Sequence, residues 1–147
     1  MNRTFKYSSL CVVCLLLHTQ FGFSQSILGK WKTIDDLSGK EKGIVEVYEK
    51  SGLIYARILD IFETEYKNKK CSLCAGQDKD KPLLGLIFIR GLKKDGDEYN
   101  GGKVLDPKIG KYYKCYIKLE DPDKLKIRGY VGIPMLGRTQ YWYRVKK

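Results

Sequence analysis

Histidine is almost absent from this chain: its 147 residues include a single one, His18. His18 lies in an N-terminal segment that we predict to be removed from the mature protein. Histidine is the commonest general base and the commonest zinc ligand in proteins. Its absence from the mature chain excludes a Ser-His-Asp triad, a Cys-His pair and the usual catalytic zinc sites. We therefore predict no enzymatic activity, no metal and no cofactor.

Long hydrophobic runs are absent as well. The apolar run from Leu10 to Leu17 is far shorter than the ~20 residues that a membrane-spanning helix needs. Arg3 and Lys6 precede this run, and the small residues Gly22 and Ser24 follow it, which is the three-part layout of a secretory signal peptide. We predict no transmembrane span.

We place the cleavage after Ser24, so that residues 1–24 form the signal peptide and residues 25–147 form one domain. The protein is then periplasmic or secreted. A lipid anchor is disfavoured because Cys11 and Cys14 lie inside the apolar run and not directly after it. Loss of Arg3 and Lys6 lowers the formal charge from +11 to +9.

Three cysteines remain in the predicted mature chain: Cys71, Cys74 and Cys115. An oxidising compartment favours a disulfide between Cys71 and Cys74. A redox couple and half of a metal site are the alternatives, but the motif lies between strands and not at a helix start. We expect Cys115 to be a small apolar core residue.

Turn residues divide the chain into short segments of alternating hydrophobicity, and no segment has a convincing helical period. Many short strands joined by tight turns predict an all-β protein, a sandwich or an antiparallel up-and-down β-barrel of about eight strands. The predicted strands are Lys30–Thr33, Gly43–Glu49, Leu53–Ile61, Leu84–Gly91, Glu98–Leu105, Lys111–Leu119, Lys124–Val131 and Thr139–Val145. In Lys111–Leu119, period-two alternation places Tyr113, Cys115, Ile117 and Leu119 on one face and the lysine-rich set Lys114, Tyr116 and Lys118 on the outer face.

One connection is unusual. The segment from Glu63 to Pro82 is charged, rich in turn residues and longer than compact domains commonly tolerate between strands. We expect it to be variable or mobile, or to form a lid over an opening.

The start of the first mature strand, Gly29-Lys30-Trp31, resembles the Gly-x-Trp opening of lipocalins and related calycin barrels. The resemblance implies that Trp31 closes one end of a barrel beneath an arginine from the last strand. Arg144 and Arg138 are the candidates for that arginine.

The rest of the chain resembles an uncharacterised bacterial family, domain of unknown function 2147, from about Leu28 to Lys147. This resemblance implies a small exported protein with a lipocalin-like barrel, and it transfers no catalytic residues. The residues that carry it are Gly85, Asn100-Gly101-Gly102, Asp106-Pro107 with Gly110, Arg128-Gly129-Tyr130 with Gly132, and Gly137-Arg138-Thr139-Gln140 with Trp142.

Four residues of the last hairpin are candidates for ligand contacts. Arg128 and Arg138 each lie next to a glycine and suit carboxylate or phosphate groups, and we place them near opposite ends of the hairpin. Tyr130 and Tyr141 are their aromatic neighbours. The structural alternative is that both arginines pair with acidic residues on the outer face and lie along these rings. Gly29, Trp31, Trp142 and Arg144 are expected to be structural.

Three functions are compatible with these features. The first is a noncatalytic binding protein that holds a small apolar or amphipathic ligand in the barrel, since eight strands enclose either side chains or one small ligand. The second is an envelope structural or interaction protein with a packed barrel and a basic surface. The third is a hydrolase that uses carboxylates from Asp35, Asp36, Glu46 and Glu49. The partners are accordingly a small hydrophobic or anionic ligand, or an anionic envelope surface. Export argues against nucleic acid.

Overall fold

A computed structural model describes residues 25–146 of the chain, and the predicted signal peptide lies outside this range. Eight β-strands form the fold, with one short helix, α1 (Thr64–Lys67), and one 3₁₀ turn (Gly76–Asp78) between β3 and β4. The strands are β1 (Gly29–Ile34), β2 (Glu41–Lys50), β3 (Leu53–Ile61), β4 (Ile87–Asp95), β5 (Glu98–Asp106), β6 (Lys111–Asp121), β7 (Lys124–Tyr130) and β8 (Gly137–Arg144).

Each strand pairs antiparallel with the next, and β1 pairs with β8 to close the barrel. The predicted all-β, up-and-down barrel of eight strands is confirmed. No helix among residues 25–146 is long and apolar enough to cross a membrane.

The connections alternate between the two ends of the barrel. The end where the chain enters carries the tight turns after β2, β4 and β6, and we call it the basal end. The opposite end carries the longer connections 35–40, 62–86, 107–110 and 131–136, and we call it the loop end.

Every predicted strand is present, and β3 has the predicted bounds. The fourth strand was predicted to begin at Leu84, but β4 begins at Ile87. Leu83 and Leu86 pack instead in a small apolar cluster of the long connection. Gly85 and Leu86 still exchange backbone hydrogen bonds with Ile58 of β3 (2.8 and 3.1 Å), but the regular strand begins only at Ile87.

Two tryptophans anchor the interior near the basal end. Trp31 is fully buried, and its indole N–H donates to the carbonyl of Ile27 at 2.9 Å. The Arg144 guanidinium lies 4.2 Å from the centre of the Trp31 ring, as the lipocalin resemblance implied for one of its two candidate arginines. Arg144 also donates to the carbonyls of Ser26 (2.7 Å), Leu28 (3.2 Å) and Pro122 (2.8 Å), which ties the N-terminal segment to the β6–β7 turn. Trp142 is also buried, with its ring 5.8 Å from that of Phe88.

Side chains fill the interior between these tryptophans and the middle of the barrel. The core consists of Ile27, Trp31, Val45, Val47, Ile54, Ala56, Ile89, Leu92, Cys115, Ile117, Leu125, Ile127 and Trp142, none more than 5% exposed. This half of the barrel is a packed core.

The long connection is folded against the barrel at the loop end. Cys71 and Cys74 form a disulfide, as predicted, and pack with Leu86 and Leu105 in a second apolar cluster. The buried carboxylate of Asp78 accepts hydrogen bonds from Arg90 on β4 (2.7 Å) and from the hydroxyl of Tyr112 on β6. The disulfide and this carboxylate attach the connection to the barrel wall at two points.

Candidate functional site

The described surface carries a groove on the outer wall of the barrel. It encloses about 640 Å³ and is lined by Glu98, Asn100, Gly101, Gly102, Lys114, Tyr116, Tyr130 and Pro134. Concave sites for small ligands commonly measure a few hundred Å³. The groove lies across β5, β6 and β7 and extends to the β7–β8 loop.

An irregularity in β5 forms the floor. The register between β5 and β6 shifts between Tyr99 and Gly102, and Gly101 has a φ of +77°. A Cβ on Gly102 would lie 2.4 Å from the Arg90 carbonyl oxygen, so only glycine permits this close approach of β5 to β4. Neither Gly101 nor Gly102 carries a side chain, so the wall is depressed at the bulge.

The side chains that form the walls of the groove point outward because successive residues of a strand face opposite sides of the sheet. Lys114 and Tyr116 alternate along β6 with the buried Cys115 and Ile117, so they point outward. Tyr130 of β7 pairs with Lys114, which brings its ring beside the lysine at the same level of the wall. The groove therefore combines aromatic rings with a cation.

A second cavity continues the first. It encloses about 440 Å³, shares Gly101 and Gly102 with the groove, and is otherwise lined by Tyr55, Arg90, Gly91 and Lys103. The two cavities therefore adjoin across the glycine floor. Together they run across the outer wall between β3 and β7.

One lysine, Lys114, lines the groove together with Glu98, and a second, Lys103, lines the adjoining cavity. Lys103 and Lys114 take part in none of the ion pairs found within residues 25–146. Lys103 lies over the Tyr112 ring, 4.3 Å from its centre. Glu98 accepts a hydrogen bond from the Asn100 amide at 2.8 Å, which occupies one oxygen of the carboxylate that lines the groove.

Arg128 and Tyr130 both belong to this region. Tyr130 lines the groove directly. Arg128 donates to the carbonyl of Pro134 (2.6 Å), to that of Met135 (3.3 Å) and to the hydroxyl of Thr139 (2.6 Å), so its guanidinium holds the rim of the groove in place.

Arg138 and Tyr141 lie elsewhere. Arg138 was predicted near the opposite end of the hairpin from Arg128, but Arg138 pairs with Gly129, only one position from Arg128. Because neighbouring positions face opposite sides, Arg138 points away from Arg128 and makes a two-pronged pair with Asp36. The pair lowers the pKa of Asp36 and raises that of Arg138. Tyr141 lies under the ammonium of Lys124, 4.5 Å from its ring centre.

The family model described as an uncharacterised protein conserved in bacteria, domain of unknown function 2147, matches residues 29–144. The chain belongs to this family. The match spans every strand of the barrel and confirms the resemblance stated above. No curated protein matches the chain.

A solved structure supports the same architecture for this member of the family. It is described as protein HP1028 from the human pathogen Helicobacter pylori, belonging to the lipocalin family. The two chains share 24% identity and superpose with a TM-score of 0.72. The match covers 83% of this chain and 84% of the solved structure. At this identity the likeness shows the fold, which is lipocalin-like.

Three of the four carboxylates considered for hydrolysis are engaged by other groups. Glu46 pairs with Arg57 at 2.6 Å and Asp36 pairs with Arg138, while Asp35 accepts hydrogen bonds from Ser38 that lower its pKa. A general acid needs the opposite shift, a carboxyl pKa raised towards neutrality. Among residues 25–146 no group of three His, Cys, Asp or Glu side chains is placed to hold a metal.

Sequence reasoning did not identify Asn100, Lys114 and Tyr116 as groove residues. Alternation already placed Lys114 and Tyr116 on the outer face of β6. The Asn100-Gly101-Gly102 segment was singled out only for its family resemblance. Adjacent glycines inside a predicted strand can signal a bulge, and that signal indicates this site.

Proposed function

We propose that this chain is an exported, noncatalytic binding protein that holds a small anionic, ring-containing ligand in the groove on its outer wall. The observation that carries the proposal is the groove with the cavity beside it: a glycine floor between tyrosine rings, with Lys114 and Lys103 in none of the ion pairs formed within residues 25–146. A lipocalin-like fold suggests a binding protein without specifying where the ligand lies.

The packing of the barrel favours the outer wall over the interior. Tryptophans and aliphatic side chains occupy the basal and middle levels, and both cavities described here are lined by outward-facing residues. An apolar ligand in the interior would have to displace this core. Packed cores resist added volume at a cost of about 1–3 kcal/mol per overpacked site.

The lining defines the ligand class. Tyr116 and Tyr130 offer ring faces and hydroxyls, which suit a flat or cyclic ligand with polar edges. Lys114 and Lys103 supply positive charge, while Asn100 offers its amide oxygen, since its NH₂ group donates to Asp95 and Glu98. An acidic sugar or a similar ring carboxylate meets all of these requirements.

Titration with three probes tests the proposal: a galacturonate trimer, the neutral maltotriose, and decanoate as an apolar chain. Backbone amide shifts of the chain from Gln25 should move around Gly101, Lys114 and Tyr130 with the galacturonate trimer and much less with maltotriose. Decanoate that shifts Trp31 and Trp142 would place the ligand inside the barrel and contradict the proposal.

Matched variants sharpen the titration. Lys114→Ala and Tyr130→Ala should each weaken trimer binding about tenfold, since charge-assisted hydrogen bonds and ring contacts each contribute about 1–2 kcal/mol. Lys93→Ala and Tyr143→Ala remove the same side-chain types from exposed positions outside the groove lining and should leave binding unchanged. Equal losses in all four variants would show that the groove is not the site.

Export is part of the proposal and is supported by the N-terminal sequence alone. Protein isolated from the source cells should be found outside the cytoplasm, with Gln25 as its first residue by terminal sequencing. A cytoplasmic protein that retains residues 1–24 would contradict it.

A further inference from the structure

Exposed apolar side chains concentrate at one end of the barrel. All four connections of the loop end carry them: Leu37 in the first, Phe62, Leu73 and Leu84 in the second, Ile109 in the third, and Val131, Ile133, Met135 and Leu136 in the fourth. The turns of the basal end are built from Ser51-Gly52, Gly96-Asp97 and Pro122-Asp123 instead. Exposed apolar runs on a soluble domain mark an interaction surface.

The β7–β8 loop is held with these side chains outward. Met135 is 84% exposed and Leu136 is 66% exposed. Backbone hydrogen bonds from Val131 to the Leu136 carbonyl (3.0 Å) and from Leu136 to that of Ile133 (3.0 Å) close the loop on itself. Arg128 fixes the carbonyls of Pro134 and Met135. The loop therefore projects from the barrel in a fixed backbone shape. Folding it back against the barrel would break these hydrogen bonds.

Lysines surround the other apolar tips. Leu73 and Ile109 lie on neighbouring connections, because the disulfide sulfur of Cys71 contacts the Pro107 carbonyl at 3.6 Å. The exposed lysines of these connections and of the adjoining strand end are Lys69, Lys70, Lys79, Lys81, Lys108 and Lys111. The acids of the connection 62–86 are Glu63, Glu65, Asp80 and the buried Asp78. Glu63 pairs with Lys42, and Asp78 pairs with Arg90 and Lys81, so the lysines on this side outnumber the acids. This side of the loop end is positively charged.

We infer that the loop end docks on an anionic lipid surface, with its apolar tips in the interfacial layer and its lysines at the headgroups. Apolar side chains carried on four separate loops, with lysines between them, do not form the continuous complementary face that a protein partner needs. A fluid apolar layer accepts separate projections, and anionic headgroups attract the lysines beside them. The contact uses residues outside the groove apart from Pro134, so it stands independently of the ligand proposed above.

Vesicle binding tests the inference with the chain from Gln25, which contains the whole closed barrel. The protein should sediment with vesicles of phosphatidylglycerol and phosphatidylcholine in equal parts, and at least tenfold less with pure phosphatidylcholine. Replacing Met135 and Leu136 together with serine should reduce binding about tenfold or more. Val145→Ser, an apolar residue near the basal end, is the control and should bind normally.

Charge and insertion are tested separately. Lys69→Glu with Lys70→Glu should abolish the preference for anionic vesicles, whereas Lys93→Glu with Lys94→Glu, an equal charge change near the basal end, should have little effect. A Met135→Trp reporter should shift its fluorescence to the blue on binding, since both native tryptophans are already buried. Absence of binding to anionic vesicles, equal binding to neutral ones, or association of two copies with no vesicle binding would each overturn the inference.

Discussion

Trp31 is the single residue on which the basal end depends most. It is fully buried, donates to Ile27 and supports the guanidinium of Arg144. Trp31→Ala should therefore lower the free energy of unfolding by about 3–5 kcal/mol, the usual cost of truncating a buried aromatic residue. Urea denaturation measures the loss, and Trp31→Phe should retain part of the stability. A loss below about 1 kcal/mol would show that the ring does not close the barrel.

Asp36 makes stability at the loop end depend on pH. Hydrogen bonds from Arg138 hold its pKa below the ordinary value, so the folded state stabilises the charged form. This contribution is present above the unfolded pKa of about 4 and is lost as the pH falls through the lower folded value. Asp36→Asn should lower Tm at pH 7 by no more than about 4 °C, because exposed pairs contribute about 0–1 kcal/mol.

The difference in Tm between the wild type and Asp36→Asn should shrink steadily as the pH falls below about 4. Adding Arg138→Gln gives a double-mutant cycle that isolates the pair from other acids. A difference that persists unchanged at pH 2 would show that the effect is not electrostatic.

The strands themselves could be predicted because turn residues mark where each one stops. Period-two alternation also gave the correct faces for β6, where Cys115 and Ile117 are buried. It failed at the start of β4 and could not locate the bulge at Gly101, because both depend on which neighbouring strand or loop lies alongside. The groove is formed by that bulge, so its lining could not be assembled from local pattern alone.

The long connection is the element whose local order can best be changed without changing the stability of the whole barrel. Its disulfide closes a very short ring, so its entropic stabilisation should be near or below the low end of the usual ~2–4 kcal/mol. Replacing Cys71 and Cys74 with alanine should change Tm only slightly while increasing trypsin cleavage after Lys69 and Lys70. Limited proteolysis followed by mass spectrometry measures this. A large fall in Tm with no change in cleavage would show that the disulfide supports the barrel and not the connection.

At the scale of the whole molecule, the two ends of the barrel differ in chemistry. Because consecutive strands run up and down, successive connections lie at alternate ends, and the topology decides which connections share an end. The run Val131–Leu136 looks in the sequence like an ordinary turn with glycine and proline. Only the up-and-down order of the barrel brings it to the same end as Leu37, Leu73 and Ile109. The apolar end is therefore a property of the topology.

Cys115 reports on the integrity of the whole barrel. It is fully buried, and burial raises its pKa to about 12, so very little reactive thiolate exists near neutral pH. In the chain from Gln25, iodoacetamide at pH 8 should label no thiol of the native protein and one thiol of the unreduced, denatured protein, which peptide mapping assigns to Cys115.

Labelling of Cys115 should accelerate with urea in parallel with the unfolded fraction, because the thiol is reached only when the barrel opens. Ser38→Cys in a Cys115→Ala background supplies an exposed thiol that should react at once. Rapid labelling of native Cys115 would mean that the interior is accessible, and it would reopen the barrel core as a ligand site.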